Sequence, residues 1–250
     1  MELLFGDCLE VMNNWIKSGE REKFDLIWTD PPYFLSNGGI SCKSGKAVSV
    51  DKGDWDKTLG HEGNFEFTKK WLSLCQILMK KDATIWVSGT HHVIHYIAFA
   101  MQELGFKILN EIIWEKPNPP PNLSCRYFTH ATETIIWAAK DKNSKHYFNY
   151  DLMKSLNDNK QMKNIWRILP PSNKEKIFGK HVTQKPVALV ERCLLASSKE
   201  GDKIFDPFMG SGTTGVASKN LKRHFCGIEK EKEYFDLANK RINNTVQALL

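Results

Sequence analysis

Several things are missing from this chain, and each absence narrows the reading. Its six cysteines (Cys8, Cys42, Cys75, Cys125, Cys193 and Cys226) are scattered, with no C-x-x-C pair. That argues against a disulfide framework or a thiolate zinc site, so reduced, mostly buried thiols are expected. No apolar run approaches the roughly 20 residues that a membrane span needs. The start, Met1-Glu2-Leu3-Leu4-Phe5-Gly6-Asp7, is too short and acidic for a secretion signal, and a cytoplasmic location is expected. Internal repeats, low-complexity tracts and the Gly-Lys-Ser/Thr of a Walker phosphate loop are absent too.

What is present fits an enzyme-sized α/β chain. Its 250 residues suit one large domain or a core with an insertion, and 41% hydrophobic residues can fill that core. A net charge of +6 favours an anionic partner such as nucleic acid. Short β-branched or apolar runs predict strands over 24–28, 83–87, 107–114, 133–138, 203–205 and 224–228. Helical periodicity falls between them, over 65–79, 93–104, 186–197, 213–221 and 231–242. This alternation predicts a mostly parallel sheet covered by helices on both faces. Two stretches break the rhythm: 34–60, rich in Gly, Ser, Lys and Asp, and 140–180, which lacks clear periodicity. Long irregular segments in a basic protein are candidates for touching DNA, and 140–180 for recognising the target.

Two motifs carry chemistry. The first, Asp30-Pro31-Pro32-Tyr33, directly follows the strand ending at Trp28. Ligands of open α/β sheets sit at such carboxyl ends. The exocyclic amine of adenine is a poor nucleophile because its lone pair is delocalised into the ring. A carboxylate and an adjacent backbone carbonyl can each accept one amine hydrogen, which draws the nitrogen toward tetrahedral geometry and localises the pair. The two prolines fix the backbone and remove competing N–H donors. Tyr33 offers a face for a base taken out of its duplex, a stacking contact worth roughly 1–3 kcal/mol.

The second motif, Phe205-Asp206-Pro207-Phe208-Met209-Gly210-Ser211-Gly212-Thr213-Thr214-Gly215, fits G-x-G-x-x-G between a strand and a helix. Glu229, ending the next strand, is placed to bind ribose hydroxyls. A dinucleotide site is the competing reading. Against it, Asp206 would repel a pyrophosphate while accepting from a ligand ammonium, and little chain follows to complete such a fold.

Together the motifs resemble those of the β-class amino-methyltransferases of bacterial DNA, over essentially the whole chain. The resemblance implies a Rossmann-like S-adenosylmethionine-dependent methyltransferase fold with a mostly parallel seven-stranded sheet. It is circularly permuted, the catalytic motif preceding the cofactor loop. It also implies that Asp30, Pro31, Pro32 and Tyr33 are catalytic, and that Asp206, Phe208, Gly210, Ser211, Gly212, Thr213 and Glu229 hold S-adenosylmethionine. Asp7 matches the acid that holds the cofactor adenine, though a helix N-cap explains it equally. Thr183 and Lys185, in Thr183-Gln184-Lys185-Pro186, match the segment at the methionine carboxylate; a proline-started helix is the alternative.

Runs such as Tyr33 to Ile40, Asp51 to Asp56 and Asn122 to Phe128 resemble adenine methyltransferases of GATC-specific restriction–modification systems. That implies double-stranded and also single-stranded DNA as substrate, a cognate endonuclease and pairing into a homodimer. Asn118, Asn122, Arg126 and Tyr127 are candidate DNA contacts, Arg126 for a guanine or a phosphate. His91, His92 and His95 have a metal-like spacing but no nearby carboxylate, so no metal is expected. Relatives acting on cytosine N4 carry serine at the position of Asp30, which favours adenine. The alternatives are cytosine-N4 methylation and a non-catalytic, cofactor-sensing DNA-binding protein.

Overall fold

A computed structural model describes residues 1–36, 40–43, 46–49, 53–179, 181 and 183–245, with 40–43 and 46–49 described by backbone alone. Its main sheet has eight strands in the order β1-β10-β9-β2-β5-β7-β6-β8. In chain order these are β1 (Glu2–Phe5), β2 (Phe24–Thr29), β5 (Met79–Gly89), β6 (Lys107–Glu115), β7 (Thr132–Ala139), β8 (Ile165–Arg167), β9 (Lys203–Asp206) and β10 (His224–Glu229). A separate hairpin joins β3 (Ile40–Lys43) to β4 (Lys46–Ser49). All pairings in the main sheet are parallel except those of β7 with β5 and β6. All six expected strands are present.

The helices divide between the faces. On one lie α1 (Cys8–Lys17), α2 (Gly60–Leu78) and α3 (Ile94–Glu103), sharing a core with Ile27, Ile85 and Phe205. On the other lie α4 (Tyr150–Ser155), α5 (Val187–Ser197), α6 (Thr213–Asn220) and α7 (Lys232–Asn244), packed with Leu26, Trp28, Trp86 and Trp137. Side-chain alternation along β2 explains how one strand feeds both cores: Leu26 and Trp28 face one way, Ile27 the other. Trp28, Trp86 and Trp137 sit in register across three neighbouring strands. The Trp86 and Trp137 rings stack with centroids 4.8 Å apart, worth about 0.5–1.5 kcal/mol beyond the area buried.

Three expectations need correcting. The sheet has eight strands rather than seven. The extra one, β8, lies within the segment 140–180 that was read as an aperiodic insertion. That segment is built into the fold: Met153 of α4 and Trp166 of β8 are buried with Trp86 and Trp114. A three-residue strand is too short to show a period, so burial of Trp166 against its neighbours makes it visible only in three dimensions. Third, the segment 34–60 is not a plain loop: it contains the β3–β4 hairpin and a 3₁₀ turn at Asp54–Asp56. Its residues 37–39, 44–45 and 50–52 lie outside the described residues.

The topology sets the site. From β2 the chain moves to β5 on one side, whereas β9 leads to β10 on the other. The connections after β2 and β9 therefore leave in opposite directions, opening a crevice at their carboxyl ends. The register of Ile27 with Phe205 sets the two motifs side by side despite their separation in sequence.

Candidate active site

Along the carboxyl edge of the sheet, consecutive strands deliver acids. Asp7 follows β1, Glu229 ends β10, Asp206 ends β9 and Asp30 follows β2. All four line one cleft, with Pro31, Pro32, Tyr33, Thr183, Lys185, Phe208, Gly210, Ser211 and Thr213. Of the residues assigned to catalysis or cofactor, Gly212 alone is not on the cleft wall. It adopts φ +76° at the N-cap of α6, and a Cβ there would lie 2.9 Å from Ala238 Cβ, so its role is to turn the chain.

The half with Asp7, Asp206 and Glu229 is built largely from contacts to backbone N–H groups. Glu229 Oε2 accepts from Gly210 N at 2.8 Å, and Oε1 from Glu231 N at 2.8 Å. Burial pushes the Glu229 carboxyl up, partly offset by these N–H donors. Asp7 caps α1, accepting from Leu9 N at 2.9 Å and Glu10 N at 3.2 Å. The cap and the cleft position coexist, so both readings of Asp7 hold geometrically. Asp206, 2% exposed, accepts from Thr214 Oγ1 at 2.6 Å and Phe208 N at 3.1 Å. Burial raises its pKa to about 7, because these neutral donors compensate the desolvation only in part.

The Asp30 half of the cleft is an ionic cluster. Asp30 Oδ1 accepts from the Tyr33 hydroxyl at 2.5 Å, and Oδ2 from Lys185 Nζ at 2.5 Å. Lys185 Nζ also donates to the Tyr33 oxygen at 3.1 Å and lies 3.4 Å from Glu133 Oε2. The other Glu133 oxygen takes the Lys116 ammonium. Burial raises the Asp30 carboxyl; Lys185 opposes this, and Glu133 adds to it. Burial works against the charge of Glu133 too, but Lys185 and Lys116 outweigh it and hold that acid below its ordinary range. Burial likewise opposes the Lys185 ammonium, yet the two carboxylates keep its pKa above the ordinary lysine value. Lys185 is thus placed differently from what the resemblance implied. Its ammonium points to Asp30, and only its backbone faces the glycine loop, where its carbonyl accepts from Thr213 Oγ1 at 3.3 Å. Tyr33 also departs from expectation: it is 5% exposed, with Lys185 Nζ 5.2 Å from its ring centroid, so its face is covered here.

The DNA methylase family matches residues 24–240. The chain belongs to that family. The methylase is 58% identical over 222 residues to the type II methyltransferase M2.DpnII of Streptococcus pneumoniae, covering 88% of this chain and 83% of that one. It is 47% identical over 244 residues to M2.MboI of Moraxella bovis, covering 98% and 88%. Among solved structures, the M1.HpyAVI–SAM complex superposes with a TM-score of 0.74 at 32% identity, covering 97% of this chain and 98% of that one. The cytosine-N4-specific PvuII DNA methyltransferase shares the fold, with a TM-score of 0.75 at 19% identity and coverage of 98% and 87%.

In the methylase, the expected DNA contacts lie outside the cleft, on the loop 116–131 joining β6 to β7. Strand directions bring this loop to the same edge as Asp30. Asn118, Arg126 and Tyr127 are exposed. Asn122 builds the loop instead of reaching out: its amide donates to Tyr127 O at 2.6 Å, and its Oδ1 accepts from Ser124 N at 3.0 Å. His91 stacks on His130 of this loop with ring centroids 4.3 Å apart, and burial with neighbouring histidines lowers its pKa.

Sequence reasoning gave no site role to five residues that the fold brings here. Asp56, fully buried, accepts from Tyr33 N (2.7 Å), Phe34 N (2.8 Å), Leu35 N (3.2 Å) and Ser36 Oγ (3.0 Å), fixing the backbone behind the catalytic motif. Glu133 had been read only as the start of a strand. Trp55, His181 and Tyr234 line the cleft, the His181 ring centroid 6.3 Å from that of Trp55 and 4.2 Å from that of Tyr234. No residue spacing links any of these to the motifs.

Proposed function

We propose that this DNA methylase transfers a methyl group from S-adenosylmethionine to the N6 amine of adenine within GATC, on duplex and on single-stranded DNA. The observation that carries the reading is the pairing of Asp30 and Asp206 at the carboxyl ends of adjacent parallel strands, facing one cleft. The cleft suits the cofactor. Asp206 is a buried carboxylate with neutral donors only, which a ligand ammonium would complete. Glu229 and Asp7 stand one strand and two strands further along the edge from Asp206, at a ribose and a base end. When bound, S-adenosylmethionine supplies a methyl group on a sulfonium centre.

The chain's own residues do the rest. Asp30 accepts one amine hydrogen and a backbone carbonyl of the Asp30–Pro32 turn the other, which localises the nitrogen lone pair. The carboxylate need not be a strong base, since the amine becomes acidic once methylated and passes its proton to Asp30 or solvent. In duplex DNA the adenine must leave the stack first; in a single strand it need not. The carboxylate at position 30, where relatives acting on cytosine carry serine, favours adenine, and the resemblance of the flanking segments supports GATC.

Asn118, Arg126 and Tyr127, with the loop 116–131 that Asn122 braces, form the DNA-facing surface beside the segment 34–60, while 140–180 contributes target recognition. The same reading includes a cognate restriction endonuclease and a homodimer. It also includes work in the cytoplasm; among the described residues no helix is long and apolar enough to cross a membrane. Tritiated methyl transfer to single- and double-stranded oligonucleotides with and without GATC, followed by mapping of the methylated base, tests the reading. Label on cytosine, or none with folded, cofactor-binding protein, would refute it.

A further inference from the structure

Asp30 has two carboxylate oxygens, and both are taken. Tyr33 occupies one and Lys185 the other, each at 2.5 Å. Each oxygen keeps a second lone pair, but an ammonium and a hydroxyl held this close draw off the charge that would attract an amine hydrogen, so moving one donor away makes Asp30 the stronger acceptor. The Lys185 ammonium, 5% exposed, cannot leave for water cheaply. It needs a second anion within reach.

Glu133 is that anion. It sits at the start of β7, opposite Trp114 in the neighbouring strand. Its Oε2 is buried and has no hydrogen-bond partner, yet lies 3.4 Å from Lys185 Nζ. That is just beyond a well-formed bond, so a small side-chain shift would make one. Its other oxygen is anchored by Lys116, which a backbone bond from Lys116 N to Ala131 O at 2.7 Å and the Trp114 ring 5.0 Å beneath hold in place. A buried carboxylate oxygen whose one cation stands at this long range is costly and calls for an explanation.

We propose that Glu133 is a positioning residue for methyl transfer, the second anchor to which the Lys185 ammonium moves when the target amine engages Asp30. The inference rests on the methylation reading above. No covalent bond changes in this step: a hydrogen-bond donor passes from one carboxylate to another, and the vacated Asp30 Oδ2 receives the amine hydrogen. Glu133 keeps Lys185 charged and nearby, so the ammonium stays paired as substrate arrives. Lys116 in turn keeps Glu133 anionic throughout.

The test uses the full chain, S-adenosylmethionine and a methylatable oligonucleotide under single-turnover conditions. Glu133→Gln removes the charge but keeps the shape. Its transfer rate constant should fall by roughly 10-fold or more, with cofactor and DNA dissociation constants within about 2-fold of wild type. Glu133→Asp, which restores the anion, should recover part of the rate. In a Lys185→Gln background the Glu133→Gln change should cost less than about 2-fold, because there is no longer an ammonium to receive. Wild-type rate in Glu133→Gln would overturn the proposal. So would an equal loss in both backgrounds, which marks a merely structural acid. If wild-type protein transfers no methyl group to any DNA, the methylation reading itself fails, and the outcome is distinguishable from these.

Discussion

At the scale of single residues, charge placement decides what the cleft can do. Asp30→Asn keeps the size of the side chain but trades one acceptor oxygen for a donor. That amide would repel an amine hydrogen and lose its pull on Lys185. Transfer should fall by about 10²–10⁴-fold, while the affinity for S-adenosylmethionine stays within about 3-fold, as read by calorimetry. Near-wild-type turnover would remove Asp30 from its role. Asp56 works differently, through the backbone. Its four accepted bonds hold residues 33–36, and Asp56→Asn puts an amide donor against N–H groups. The local cost is about 1–3 kcal/mol. Because the loop can open alone, amide exchange at Tyr33, Phe34 and Leu35 should quicken by about 10-fold or more, with little change in global melting. Unchanged exchange there would show that Asp56 does not hold the loop.

At the scale of elements, how legible a feature was depended on whether its signal lay within a few residues. Asp-Pro-Pro-Tyr and the glycine loop each sit on one strand end, so type and spacing sufficed. The long buried strands β5 and β7 and helices α5 and α7 carry their periods in sequence too. By contrast β1 is four half-exposed residues with no clear period, and although Asp7 was read equally as a helix N-cap, the helix it caps was not among those the periodicity marked. Glu133 and Asp56 were invisible because their partners lie far along the chain, 17 residues (Lys116) and 52 (Lys185) from Glu133 and 20 to 23 (Ser36 to Tyr33) from Asp56, and meet them only once the chain folds. The third glycine of the second motif is an element-level feature as well. A Cβ on Gly215 would lie 2.3 Å from Ile242 Cδ1 and 2.9 Å from Phe225 Cδ1, so glycine sets how closely α6 meets α7 and β10. Gly215→Val should destabilise by about 1–3 kcal/mol through overpacking. Ile242→Ala, which vacates the space, should recover part of that loss in the double variant. Additive losses in thermal unfolding would show that the crowding is elsewhere.

At the scale of the whole molecule, the order of strands converts buried acids into a cation-binding edge, and the cost shows in pH dependence. Asp206 has a pKa of about 7 in the folded chain against 3.8 ordinarily. Between those values the folded form keeps a proton that the unfolded form has lost. Stability of the unliganded protein from this group therefore falls as pH rises from about 4 to about 7, then levels off. A cationic ligand end beside Asp206 reverses the balance, because it favours the carboxylate over the acid. Affinity for S-adenosylmethionine should then rise with pH up to about 7, approaching tenfold per unit at the acid side, and flatten above it. At pH 6 binding should release a proton, visible as a dependence of the calorimetric heat on the ionisation enthalpy of the buffer. Asp206→Asn should bind more weakly and lose both the slope and the proton release, while unfolding at a higher temperature than wild type at pH 8 without ligand. An affinity that is flat or falling between pH 5.5 and 8 in the wild-type chain would mean that the cation of the cofactor lies elsewhere, and that burial of Asp206 serves the turn into α6 through Thr214 and Phe208 alone.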